Sequence, residues 1–213
     1  MVSVVNRLSR PWRSNRASDG IPHPRNQALK TVFGIEGQIS KQECELLFEL
    51  ASQVTSGCIV EIGSFRGRST VALGLGSLSK GGVPVYAIDP HESFTGVLGH
   101  RFGPQDRTAF FQNILRAGVS EVVRLVNLPS AAAARTWDQP ISLLWIDGDH
   151  RYEAVRQDVH GWEPFLVIGG MVAFDDSIKP ELGPFQVIGE LLRSGRFVRV
   201  RQVGPATVLQ KRG

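Results

Sequence analysis

Two cysteines in 213 residues, and no apolar run near the roughly 18 to 20 residues of a bilayer span, are the first limits the sequence sets. Its opening residues also lack the apolar core and small-residue cleavage site of a secretory signal. These absences point to a soluble, reduced, cytoplasmic protein rather than a membrane or exported one. Cys44 and Cys58 fall on an amphipathic helix pattern and at the start of an apolar strand, where cysteine serves as a small buried hydrophobe. No disulfide or structural metal is required for folding, because a domain of this size buries roughly 70% of its unfolded surface.

A strongly basic body is also missing, despite a pI near 9.4. Residues 1–30 carry Arg7, Arg10, Arg13, Arg16, Arg25 and Lys30 against Asp19, a balance of +5, while the other 183 residues hold 18 basic and 19 acidic groups. The basicity therefore belongs to an extension rich in Ser, Asn, Pro and Arg without a clear period, which predicts a flexible arm over 1–35 and a folded domain over 36–213.

From Ser40 the pattern is regular. Ser40 and Glu43 have capping-box spacing, and Leu46, Leu47, Leu50, Ala51 and Val54 follow at helical intervals, predicting a helix over 41–54. Residues 58–63 form a nearly all-apolar run ending in glycine, as in a strand covered on both faces. Helices are then expected near 68–79, 106–117, 130–137, 151–162 and 184–194, alternating with strands at 84–89, 122–126, 141–147 and 170–175. Residues 197–201 and 206–210 flank Gly204-Pro205 and leave no room for a helix, so they are expected to pair antiparallel. The fold class is thus α/β, a doubly wound, mostly parallel seven-stranded sheet closed by a C-terminal hairpin. The stretch 90–105 is the one long connection without evident structure.

The loop after the first strand, Glu61-Ile62-Gly63-Ser64-Phe65-Arg66-Gly67, stands where open α/β sheets bind ligands. Gly63 and Gly67 permit a tight turn, and Ser69 and Thr70 open the next helix, whose free N–H groups favour a carboxylate. Asp89 ends the second strand, a position from which an acid can accept from both hydroxyls of a ribose. The dinucleotide spacing G-x-G-x-x-G is absent, and Glu61 would repel a pyrophosphate but attract an ammonium or sulfonium group. The chemistry favours S-adenosylmethionine; the plainer alternative is glycines that merely turn a strand into a helix.

Residues 61–70 resemble the first motif of the class I S-adenosylmethionine-dependent methyltransferases, in particular the catechol and caffeoyl-coenzyme A O-methyltransferases, and the likeness runs from about residue 36 to the C-terminus. It implies that Glu61 and Ser69 hold the methionine end of the cofactor beside Gly63, Ser64 and Gly67, that Asp89 holds the ribose, and that Ser130 lies near the adenine. A homodimer is implied as well.

A second cluster comprises Asp147-Gly148-Asp149-His150 after the fourth strand and Asp175-Asp176 after the fifth. Asp147, Asp175 and Asp176 would converge beside the transferable methyl and repel one another unless a cation is bound or a proton shared. Hard oxygen donors point to Mg²⁺, and the resemblance places a metal on these three positions. Capping of the following helices is the alternative. His150 stands where the family carries a catalytic lysine, and imidazole accepts a proton near neutrality; a helix-start or metal-supporting role is the other reading. Asp147 would then serve cofactor, metal and catalysis together. The expected reaction is methyl transfer to a hydroxyl oxygen of a small phenolic or sugar acceptor. An RNA methyltransferase using the basic arm and a non-catalytic cofactor-binding protein are the alternatives.

Overall fold

The computed structural model describes residues 25–213. Along the chain run α1 (Arg25–Phe33), α2 (Lys41–Ser52), β1 (Cys58–Ile62), α3 (Arg68–Leu78), β2 (Val85–Ile88), β3 (Phe94–Thr95), β4 (Arg101–Phe102) and α4 (Pro104–Ala117). They are followed by β5 (Val123–Val126), α5 (Ser130–Ala134), β6 (Ile141–Ile146), α6 (Tyr152–Trp162), β7 (Leu166–Phe174), α7 (Gly183–Arg193), β8 (Phe197–Val203) and β9 (Ala206–Lys211). The main sheet has the order β5-β2-β1-β6-β7-β9-β8, parallel as far as β7 and antiparallel through β9 and β8. The doubly wound sheet with a terminal hairpin is the architecture expected from the pattern.

Every residue of β1 is buried, because helices cover both faces of the strand. Ile59 belongs with Leu46, Leu47, Val71 and Leu73 to the core under α2 and α3. Val60 and Ile62 belong with Val155, Val159, Trp162 and Val187 to the core under α6 and α7. Side chains alternate across the strand, so Glu61 faces the α2 and α3 side. The capping box forms as read: Ser40 Oγ accepts from the Glu43 amide at 3.2 Å, and Glu43 Oε2 accepts from the Ser40 amide at 2.8 Å. Both cysteines are buried, unpaired thiols. No helix among the described residues is long and apolar enough to cross a membrane.

Four local features differ from the sequence pattern. The part of the presumed flexible arm from Arg25 onward is helix α1, and its Leu29 and Val32 enter the core; residues 1–24 lie outside the described residues. The connection 90–105 contains the two-residue strands β3 and β4, paired antiparallel. Helix α5 stops at Ala134 instead of 137, and β7 begins at Leu166 instead of 170. The β7 difference has a clear cause: Gly169 and Gly170 sit in a register irregularity inside the strand, and glycine pairs normally mark a turn.

The sheet order reverses between β1 and β6. The chain leaves β1 towards β2 and β5, and leaves β6 towards β7, so the loops after β1 and β6 diverge above their carboxyl ends.

Candidate active site

That divergence opens a cavity of about 660 Å³. Gly63, Ser64, Ser69, Asp89, Ser130, Asp147, His150, Asp175 and Asp176 all line it, so the topology brings together most of the residues singled out in the sequence. Two others stand just behind the wall. Gly67 has φ +86° and forms the N-cap of α3. Glu61 is fully buried, with Thr70 Oγ1 donating to its Oε2 while Oε1 has no partner. Burial raises the Glu61 carboxyl to about 8 against the opposing hydrogen bonds of Ser69 and Thr70. An unpartnered carboxylate oxygen next to cavity-lining Ser69 suits a ligand ammonium group.

The glycine loop is pinned from several directions. Gly63 has φ +83°, and a Cβ there would stand 2.2 Å from the Asp147 carbonyl oxygen, so the loop and the end of β6 touch backbone to backbone. Phe65 and His91 also have positive φ, at 47° and 49°. The two meet where His91 Nε2 lies 2.8 Å from the Phe65 carbonyl oxygen. Left-handed backbone at two non-glycine residues is stored strain, and its concentration on the cavity rim is typical of ligand sites.

Asp89 is more occupied than expected. Its Oδ2 accepts the amides of Ser64 and Phe65, each at 2.9 Å, and its Oδ1 accepts the His91 amide at 2.7 Å. Three of roughly four acceptor sites on the carboxylate are thus taken by main chain, leaving one for a ribose hydroxyl instead of two. Asp89 braces the loop as much as it faces a ligand. Ser130 is likewise engaged: its hydroxyl donates to Asp158 Oδ1 at 2.5 Å and receives the Trp162 indole N–H at 2.9 Å.

At the other end of the cavity the acids converge, with one rearrangement. Ligand atoms of Asp147, His150 and Asp175 lie within 4.8 Å of one another, a spacing that could hold a metal ion. Asp176, expected in that set, is turned aside at φ +45°. Its Oδ1 pairs with Lys179 Nζ at 3.0 Å and its Oδ2 with His150 Nδ1 at 3.4 Å. The His150 bond and then Lys179 hold Asp176 below the usual carboxylate range. Asp147 and Asp175 are raised by burial, and Asp175 further by the charge of Asp147 and the nearby Glu43 carboxyl. Two full charges side by side are therefore disfavoured at this pair. Burial pulls His150 down, but the bonds and charges of Asp147 and Asp176 outweigh it and lift the imidazole to about 9.

The model of a family of methyltransferase domains matches residues 60–177, more than half of the chain. The chain belongs to this methyltransferase family. The fold is that of the class I S-adenosylmethionine-dependent enzymes, shared with the S-adenosylhomocysteine-bound Podospora anserina methyltransferase PaMTH1 at 14% identity, 89% coverage of this chain, 88% of the other and a TM-score of 0.65. A Staphylococcus aureus protein provisionally assigned as a caffeoyl-coenzyme A O-methyltransferase superposes at 15% identity, 83% and 86% coverage and a TM-score of 0.62. An rRNA methylase from Streptococcus thermophilus does so at 15% identity, 83% and 100% coverage and 0.57. Likeness at this level establishes the fold, and it spans relatives named for different acceptors.

The methyltransferase cavity includes two residues, Glu43 and Asp158, whose part in the site the sequence did not reveal. Glu43 serves the capping box yet lines the cavity, with Oε1 buried and unpartnered. Phe94 and Phe102, stacked at 5.9 Å in the β3–β4 hairpin, also line it, and Phe65 meets Phe102 edge-on at 5.2 Å. Of the neighbouring pair in α4, Phe110 is buried in the core and Phe111 is exposed. Asp158 is the second, raised by burial from 3.8 to about 6.

That shift has a sign that can be measured. The folded chain holds the Asp158 proton more tightly than the unfolded chain, so stability falls as pH rises from about 4 through about 6 and the cost is complete above that range. Asp158→Asn keeps an acceptor for Ser130 and removes the charge. Thermal denaturation at pH 8 is expected to show a gain of about 1–2 kcal/mol, reduced from the full shift by contact with cavity water and absent at pH 4. Equal stability of the two proteins at pH 8 would contradict the account.

Proposed function

We propose that this methyltransferase transfers the methyl group of S-adenosylmethionine to a hydroxyl oxygen of a small molecule, with a divalent cation such as Mg²⁺ at the acidic centre. The observation that carries the reading is the opening of the glycine loop and the Asp147, His150 and Asp175 cluster into one cavity. The residues suit both groups. Glu61 Oε1 is a buried acceptor without a donor, fitting the cofactor ammonium, and the side-chain-free Gly63 lets the backbone lie close to the ligand. Two converging carboxylates, both raised by burial, beside the His150 imidazole fit a hard divalent cation.

When bound, such a cation lowers the pKa of an acceptor hydroxyl and fixes its oxygen. Asp147 and Asp175 would hold it. Asp176 Oδ2 orients His150 through Nδ1, and Nε2, 3.5 Å from Asp147 Oδ1, is the nitrogen that would take the hydroxyl proton. Were the neighbouring carboxylate charge neutralised by a bound cation, His150 would fall back towards its ordinary range and could serve as the base. The loop and the acidic centre then align sulfonium methyl and oxygen for in-line displacement, where proximity alone contributes about 7–11 kcal/mol. Phe94 and Phe102 supply an aromatic flank that suits a phenolic acceptor, and sugars remain the second small-molecule class.

Transfer of labelled methyl groups to catechols, phenols and sugars tests the reading, with Mg²⁺ and with chelator. Turnover is expected to require the cation, and His150→Ala is expected to lower kcat by about 10²–10⁴-fold while retaining metal binding. Loss of metal binding in His150→Ala would make the imidazole a ligand instead of the base. Transfer to ribosomal RNA that fails on removal of residues 1–24, which spares α1, with no small-molecule turnover, would replace the proposal with the RNA reading.

A further inference from the structure

The β3–β4 hairpin carries a feature for which neither the cofactor nor the acidic centre has a use. Its tip is the turn Gly96-Val97-Leu98-Gly99, closed by the Gly99 amide donating to the Gly96 carbonyl oxygen at 2.9 Å. The corners of such a turn ordinarily carry Pro, Asn, Asp, Ser or Gly, which suit its backbone angles or bond to its backbone. Here they carry valine and leucine, left 45% and 49% exposed. Among the described residues these are the only exposed large apolar side chains that also line the cavity.

The tip continues an apolar track. A Cβ on Gly96 would stand 3.3 Å from Phe102 Cε2 and 3.7 Å from Phe94 Cε1, so the missing side chain lets the stacked rings abut the turn. Phe94 in turn lies 5.8 Å from the guanidinium of Arg151, the residue after His150. The half-buried rings therefore stand beside the acidic centre, and the exposed Val97 and Leu98 lie towards solvent. From Phe94 to Gly99 no side chain is ionisable. Apolar surface that is continuous with a cavity and open to water gains free energy when a ligand covers it.

We propose that the acceptor is a phenol or catechol bearing an uncharged apolar chain, with its hydroxyl at the acidic centre, its ring against Phe94 and Phe102, and its chain along Val97 and Leu98. This rests on the small-molecule O-methyl reading and deepens it. A sugar leaves the tip uncovered, and a charged substituent finds no partner along the track.

Methyl transfer to 4-ethyl-, 4-butyl- and 4-hexylcatechol with S-adenosylmethionine and Mg²⁺ tests the assignment. Calorimetric titration of the same catechols into protein loaded with S-adenosylhomocysteine and Mg²⁺ accompanies it. Full burial of a methylene is worth about fourfold in affinity, and a wall covering one side of the chain about twofold. KM and Kd are therefore expected to fall about 16-fold from ethyl to hexyl. In the double variant Val97→Ser, Leu98→Ser, whose serines suit a turn corner, the gradient is expected to shrink below about threefold. Leu115→Ser, at an exposed leucine of α4 outside the cavity, is expected to keep it. A flat or rising KM and Kd in the wild type, or a gradient kept by the double variant, overturns the inference; methyl transfer to the catechols then leaves the functional reading standing. Binding with the gradient but without transfer overturns the functional reading while upholding the track as a ligand surface. Neither binding nor transfer overturns both.

Discussion

Glu61→Gln is expected to produce a more stable protein that has lost its methyl donor. The Glu61 carboxyl is fully buried, with its pKa raised to about 8. Because its folded pKa lies above the unfolded value, the native state is penalised increasingly as pH rises from about 4.5 through about 8. An amide of the same shape escapes that penalty while still accepting from Thr70. The stability advantage of the variant should be small at pH 5, grow to a few kcal/mol by pH 9 and then level off, as measured by denaturant unfolding. Its cofactor affinity should fall by about 10–100-fold, since a neutral amide replaces the charge that would meet the ammonium. A variant that is stabilised and binds the cofactor as before would show Glu61 to be a structural acid only.

Gly63→Ala should have the opposite stability effect. The residue needs φ +83°, and the added Cβ would lie 2.2 Å from the Asp147 carbonyl oxygen, which is main chain and cannot swing away. Either β1 and β6 separate at their carboxyl ends or the loop unwinds. Both break the contact between the glycine loop and the acidic centre. A loss of about 3 kcal/mol or more is expected, together with loss of cofactor binding in whatever protein remains folded. Gly81→Ala provides the control: nothing lies within 4 Å of its Cβ position, and it should melt close to wild type. A Gly63→Ala protein as stable as the control would mean that the close approach is not required.

The fold was legible because period and punctuation agreed along most of the chain. The all-apolar β1, the alternating β8 and the Ser40–Glu43 capping box each have a local physical cause visible in a few residues. What escaped was either masked or non-local. In α1, basic and polar composition obscured Leu29 and Val32, which are buried where α1 packs against α3 and α2. In β7, the pair Gly169-Gly170 looked like its beginning while lying within it.

The candidate site divided in the same way. Gly63, Asp147 and Asp175 follow from strand ends, which topology alone places on one edge. Asp158 and Glu43 sit mid-sequence in amphipathic helices, where an acid ordinarily marks the solvated face, and only the tertiary contacts with Ser130 and Asp175 give them a task. The role of Asp176 shifted for a reason not readable from spacing: its left-handed backbone turns it towards Lys179 and His150, away from the pair formed by Asp147 and Asp175.

The most direct test of the central claim is calorimetric titration of the protein with S-adenosylmethionine, run with Mg²⁺ and with chelator and repeated on Glu61→Gln. The account predicts saturable one-site binding to the wild-type protein and affinity about 10–100-fold weaker in the folded variant. Absence of binding to a folded wild-type protein under both metal conditions would contradict it.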